Sequence, residues 1–188
     1  MSNPSRSVPL AVMTILACLY ANASRADPKT QTFGRWSVTI DEISTGQDTL
    51  KTCAASIAFV DPQGSPGTLT LSISNGDVLP PNGYPAVMLA VDNQTLPTGD
   101  NVAATFNDVN NKVPAKFRGG GGAGAHRQWM MDNNPKTSLA LLRTMRNAPT
   151  LDVVFGKQPV ASIAMDGFTK AYRSLGTSCG FPTRDVTP

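Results

Sequence analysis

Asp61-Pro62-Gln63-Gly64-Ser65-Pro66-Gly67-Thr68-Leu69-Thr70-Leu71-Ser72-Ile73-Ser74-Asn75-Gly76 decides the fold class. Successive side chains of a strand point to opposite faces, so Leu69, Leu71 and Ile73 share one apolar face while the intervening Thr and Ser residues share a polar one. Turn-forming residues bound the stretch on both sides, at Pro62 to Gly67 and at Asn75-Gly76. Upstream, the same alternation places Cys53, Ala55, Ile57 and Phe59 on one face of Leu50 to Val60, and Trp36, Val38 and Ile40 on one face of Thr32 to Ile40. Downstream, Tyr84 to Val91 and Val102 to Phe106 flank the turn Leu96-Pro97-Thr98-Gly99-Asp100. Strands this short and this regularly punctuated predict a mostly β chain, a single-domain antiparallel β-sandwich.

The pattern changes at Asn134-Pro135, an N-cap residue followed by a proline suited to the first helical position, and Pro149 stops the run that follows. This predicts a helix over about 135–147, with Leu139, Leu142 and Met145 on its apolar edge and Arg143 and Arg146 on its wet one. Leu151 to Phe155 and Val160 to Met165 read as a hairpin around Gly156-Lys157-Gln158-Pro159. Phe168, Ala171, Tyr172 and Leu175 then fall at the spacing of one helix face, which predicts a second helix over about 167–175, capped by Asp166 and ended by Gly176.

This terminal strand hairpin with its Gly167-Phe168-Thr169-Lys170-Ala171 helix resembles the exported invasion-associated-locus-B family of bacterial proteins. The residues that carry the resemblance run from Ser138 to Leu175, chiefly Leu151-Asp152-Val153-Val154-Phe155, Val160 to Met165 and the helix itself; Trp36-Ser37-Val38 followed by Cys53 is similar to that family's opening strands. The chain departs from the family at Ile40, where a cysteine commonly follows the first strand, and has no Gly-Cys pair in mid-domain. The resemblance implies a β-sandwich that is secreted or periplasmic, host- or envelope-associated, with no catalytic residues to carry over.

The N-terminus independently predicts export. Arg6 is followed by an uncharged, largely apolar run from Val8 to Ala23 that ends in Ala21-Asn22-Ala23, the n-region, h-region and small-residue cleavage site of a signal peptide over 1–26, cut after Ala23 or after Ala26. The apolar run is shorter than the roughly 18 to 20 residues of a bilayer span. Ile15-Leu16-Ala17-Cys18 also resembles a lipobox, an alternative that would lipidate Cys18. The remainder, 27–188, has the size of one domain. Charged residues are 15% of the chain and Gly plus Pro number 31, which suits strands and turns.

With Cys18 removed, Cys53 and Cys179 remain, and in an oxidising compartment they are expected to form a disulfide; two buried thiols are the alternative. Gly119-Gly120-Gly121-Gly122-Ala123-Gly124 satisfies G-x-G-x-x-G, yet no apolar strand of a parallel sheet leads into it and no acidic residue stands near 20 positions on, so 118–126 reads as a glycine-rich solvated loop without a nucleotide cofactor. Gly176-Thr177-Ser178-Cys179-Gly180 satisfies G-x-S-x-G but follows a helix and has no downstream histidine. His126 is the only histidine, so a histidine zinc cluster is excluded. Asp41-Glu42 and Asp132 show no reason to converge as a glycosidase pair. Asn93-Gln94-Thr95 is a glycosylation sequon, of consequence in a eukaryotic secretory pathway.

Charge is unevenly placed. From Asp27 to Asn111 there are three basic and nine acidic residues, net −6, whereas 112–146 holds Lys112, Lys116, Arg118, Arg127, Lys136, Arg143 and Arg146 against Asp132 alone, net +6. With the glycine loop and Trp129 inside it, this segment is the candidate for docking an anionic polymer, a lipid headgroup surface or an acidic protein. Strand-edge lysines such as Lys112 and Lys116 also serve to block aggregation. The functional expectation is an exported, non-catalytic binding protein with no cofactor; the alternatives are a small exported hydrolase with a dispersed site, or a structural accessory of an envelope assembly.

Overall fold

A computed structural model describes residues 24–44, 46–121 and 124–188. The apolar N-terminal run, Cys18 and the Ala23 cleavage site lie outside the described residues.

The strands are β1 (Ser24–Arg25), β2 (Lys29–Phe33), β3 (Trp36–Ser44), β4 (Thr49–Val60), β5 (Pro66–Ser74), β6 (Ala86–Val91), β7 (Gly99–Asn107), β8 (Lys112–Gly119), β9 (Arg127–Met131), β10 (Thr150–Phe155) and β11 (Gln158–Ala164). The helices are α1 (Pro135–Asn147) and α2 (Phe168–Cys179). Among the described residues the strands form one antiparallel sheet in the order β1-β3-β4-β5-β6-β9-β8-β7-β10-β11, with β2 also paired to β3. The sheet rolls so that β11 packs against β4 and α2 lies on β3 and β4, a single-domain sandwich-like arrangement of mostly β structure.

The alternation read from the sequence sets which face is buried. Leu69, Leu71 and Ile73 of β5 are at most 2% exposed, and β4 presents Cys53, Ala55, Ile57 and Phe59 to the same core. Cross-strand register aligns them: Cys53 faces Ile73, Ala55 faces Leu71 and Ile57 faces Leu69. A second aromatic centre is built where Phe106, Phe117, Trp129 and Phe155 meet, with the Trp129 and Phe155 rings 5.1 Å apart and edge-on. Trp129 is fully buried and donates its indole N–H to the Pro97 carbonyl at 3.0 Å, so it belongs to the core and not to the basic surface.

Several boundaries differ from expectation. The first strand is a hairpin, β2 and β3, reversing at Gly34-Arg35. Strands β8 and β9 lie on either side of the glycine loop, where the sequence reading placed no strand element. Helix α1 is capped as expected, Asn134 accepting from the Lys136 and Thr137 amides, but Leu141 takes the buried place expected for Leu139, which is half-buried. Helix α2 buries Phe168, Ala171, Tyr172 and Leu175, yet its N-cap is Gly167 with no side-chain bond, so Asp166 does not cap it. Nor does Gly176 end it. The helix continues to Cys179 and stops at Gly180, in the left-handed region, whereas Gly176 is a close-packing position, Phe181 and Thr183 of the returning chain standing where its side chain would be.

Cys53 and Cys179 are joined by a disulfide with a Cα separation of 6.1 Å. It ties the end of α2 to β4.

Candidate functional site

Along β8, Lys112, Pro114, Lys116 and Arg118 are exposed while Val113, Ala115 and Phe117 are buried. The period of two therefore sets three cations in a row on one face of one strand, with roughly 6.6 to 6.8 Å between alternate residues. Arg118 is engaged by Asp132, Nε to Oδ1 at 2.6 Å. The side chains of Lys112 and Lys116 make no ion pair or hydrogen bond among the described residues. Lys136, exposed in the first turn of α1, is likewise without a side-chain partner there.

The other basic residues of 112–146 are held by backbone. Arg127 donates through Nη1 to the carbonyls of Gly124 and His126, each at 3.1 Å. Arg143 donates to the Asp185 carbonyl and Arg146 to the Val186 carbonyl, both at 2.8 Å. With Arg173, which donates to Pro188 O at 2.6 Å, they clamp the segment 181–188, whose Phe181, Val186 and Thr187 are buried. Tyr84 donates to the Asp185 carboxylate in the same place. Burial, then the hydrogen bond to Asp185 and the charge of Asp185, push the Tyr84 phenol up to about 12 against the opposing charge of Arg143. Tyr172 is also driven upward, by burial first and then by Asp185 and Tyr84. The structure thus divides the +6 segment into an open set, Lys112, Lys116 and Lys136 beside the Arg118–Asp132 pair, and a set committed to internal carbonyls.

Next to the open set lies a groove of about 590 Å³. One side is the β7–β8 pair, where Ala103 faces Lys116, Ala104 faces Ala115 and Thr105 faces Pro114. The other is the chain entering α1, at Asp132, Asn134 and Thr137. Strand β9 pairs with β8 only over Phe117 to Gly119, and the Asp132 amide then donates to the Lys116 carbonyl at 2.8 Å before the chain leaves the sheet. Sequence reasoning found Lys116 and missed the small residues beside it; the signal was present in the strand-like alternation of Lys112 to Arg118, obscured by the glycines that follow.

The glycine loop is less uniform than its composition. Gly120 is buried at a positive φ of 90°, and a side chain there would collide with the Trp129 indole and Thr98, whereas Gly121 and Gly124 face open space. His126 pairs with Asp92, Nδ1 to Oδ1 at 2.8 Å, a partner no sequence spacing pointed to. Ser178 lies in the last turn of α2 beside the disulfide-bonded Cys179, so the G-x-S-x-G match forms no strand-to-helix elbow. Among the described residues no group of His, Cys, Asp and Glu could hold a metal ion, and no helix is long and apolar enough to cross a membrane. No family model, curated protein or solved structure matches the chain.

Proposed function

We propose that this chain is an exported binding protein that docks an anionic partner on the outward face of β8, without catalysis of its own. The observation that carries the reading is the row Lys112, Lys116 and Arg118 on one face of β8, in which Arg118 is paired with Asp132 and the lysine side chains are open. The apolar leader and the resemblance over Ser138 to Leu175 support export and an envelope or host-facing setting.

Arg127, Arg143 and Arg146 are poor choices for a test, because their guanidinium groups hold loop and tail carbonyls. Lys112, Lys116 and Lys136 are free of such roles. Dextran sulfate and phosphatidylglycerol vesicles are expected to bind the protein at low salt, with affinity falling steeply as salt rises, since exposed charges are screened over about 8 to 10 Å at physiological ionic strength. The triple variant Lys112→Gln, Lys116→Gln, Lys136→Gln is expected to lose at least about tenfold in affinity at unchanged thermal stability, each exposed lysine contributing a fraction of that factor. Binding equal to wild type in the triple variant, or none at low salt, overturns the reading.

A further inference from the structure

We propose that the groove between the β7–β8 pair and the entry to α1 is a binding site for an anionic monoacyl amphiphile, its chain on the small apolar residues and its carboxylate on Lys116. The inference shares Lys116 with the docking face proposed above and rests on that cation being free.

Three features define the ligand. The volume, about 590 Å³, lies within the roughly 300 to 1,000 Å³ of small-molecule sites. On the face that carries Lys116, Ala103 and Pro114 give the groove small aliphatic walls, while Ala104 and Ala115 between them turn to the buried side and contribute little more than backbone. Of its two charged residues, Asp132 is neutralised by Arg118 at 2.6 Å, so Lys116 is the one with an uncompensated charge. An apolar lining beside a free cation favours a molecule with an aliphatic body and one anionic end.

The same geometry argues against a peptide. The edge of β8 beyond the end of β9 is the place where an extended chain would add, through alternating backbone donors and acceptors. Lys116 turns its carbonyl to that side, toward the Asp132 amide, and residues two apart on a strand share a side. Pro114 therefore also faces the open edge and has no N–H to offer, the usual device for blunting a strand edge. Nor is the helix end the anion site, because Asn134 already satisfies the Lys136 and Thr137 amides.

Dodecanoate below its micellar concentration is the probe, followed by titration calorimetry on the intact protein, with dodecyltrimethylammonium as a control of the same chain length and opposite charge. Saturable binding of one dodecanoate per chain and none of the cation are expected, each methylene that the groove buries tightening binding about fourfold. Lys116→Gln should weaken dodecanoate about tenfold. Ala103→Phe, at an exposed position, should fill the groove and abolish dodecanoate binding while dextran sulfate still binds as to wild type. No saturable dodecanoate binding, or binding unchanged in Ala103→Phe, overturns the groove and leaves the docking face standing. Dodecanoate binding retained where dextran sulfate fails removes the docking face alone.

Discussion

Asn93 carries a glycosylation sequon in sequence and a structural task in the fold. It is 6% exposed, its amide donates to Asp61 Oδ2 at 2.6 Å and to Gln63, and its carbonyl oxygen accepts from the Thr95 amide and hydroxyl. The nitrogen that a glycan would need is thus spent inside the folded protein, pinning the β4–β5 turn to the chain leaving β6. Asp61 completes that turn by accepting from the Gln63 and Ser65 amides at 2.9 and 2.7 Å. Burial works to raise the Asp61 pKa, and the hydrogen bonds from Asn93, Ser65 and Gln63 outweigh it, holding the carboxyl below its ordinary value of 3.8. A depressed pKa means that the ionised form stabilises the fold: the contribution is complete above the ordinary carboxylate range and is lost as pH falls through the folded value. Asp61→Asn is expected to cost about 1 to 2 kcal/mol at neutral pH and less at about pH 3, read from urea unfolding midpoints of both proteins. Equal midpoints at neutral pH would show the turn to be indifferent to the charge. None of this was legible from Asn93-Gln94-Thr95, because the partner that buries the side chain stands more than thirty positions upstream.

Elements were legible in proportion to their local pattern. Strand β5, with turns at both ends and strict alternation, and helix α1, with Asn134 and Pro135 at its start, lie where the residues place them. Strands β8 and β9 were not read because the glycine run between them dominates the composition of the segment, although Val113, Ala115 and Phe117 alternate as clearly as β5 does. Helix α2 was read from its face and mistaken at its ends, since Gly176 serves close packing with Phe181 and Thr183, a tertiary demand that resembles a stop signal. That face is where the element is held. Phe168 lies edge-on to Trp36 at 5.3 Å and stacks on Tyr172 at 5.8 Å. Phe168→Ala should destabilise the protein by about 3 to 5 kcal/mol, measured by equilibrium urea unfolding, as expected for truncating an aromatic side chain in a packed core. A loss under about 1 kcal/mol would mean that α2 is peripheral to stability.

At the scale of the molecule, the disulfide joins positions 126 apart and closes a loop that runs from β4 to the end of α2. In the chain-entropy account, closing such a loop stabilises the fold by roughly 4 to 5 kcal/mol, less any strain in the folded state. Unfolding with and without dithiothreitol should differ by about that amount, and thiol titration of the native oxidised protein should find neither Cys53 nor Cys179 free; a reduced protein as stable as the oxidised one would contradict the account. By itself, the sequence determined the buried faces of β4 and β5, where α1 begins and which face of α2 is apolar, because each of these depends on periodicity or chemistry within a few residues. Only the tertiary structure decided that β6 pairs with β9 and β7 with β10, that Arg143 and Arg146 hold the C-terminal segment, and that small residues of β7 and β8 open a groove beside Lys116. An alternating strand declares its buried face but not its neighbour, since any strand of matching face satisfies the same local pattern and the choice among them is made by the burial of the whole core.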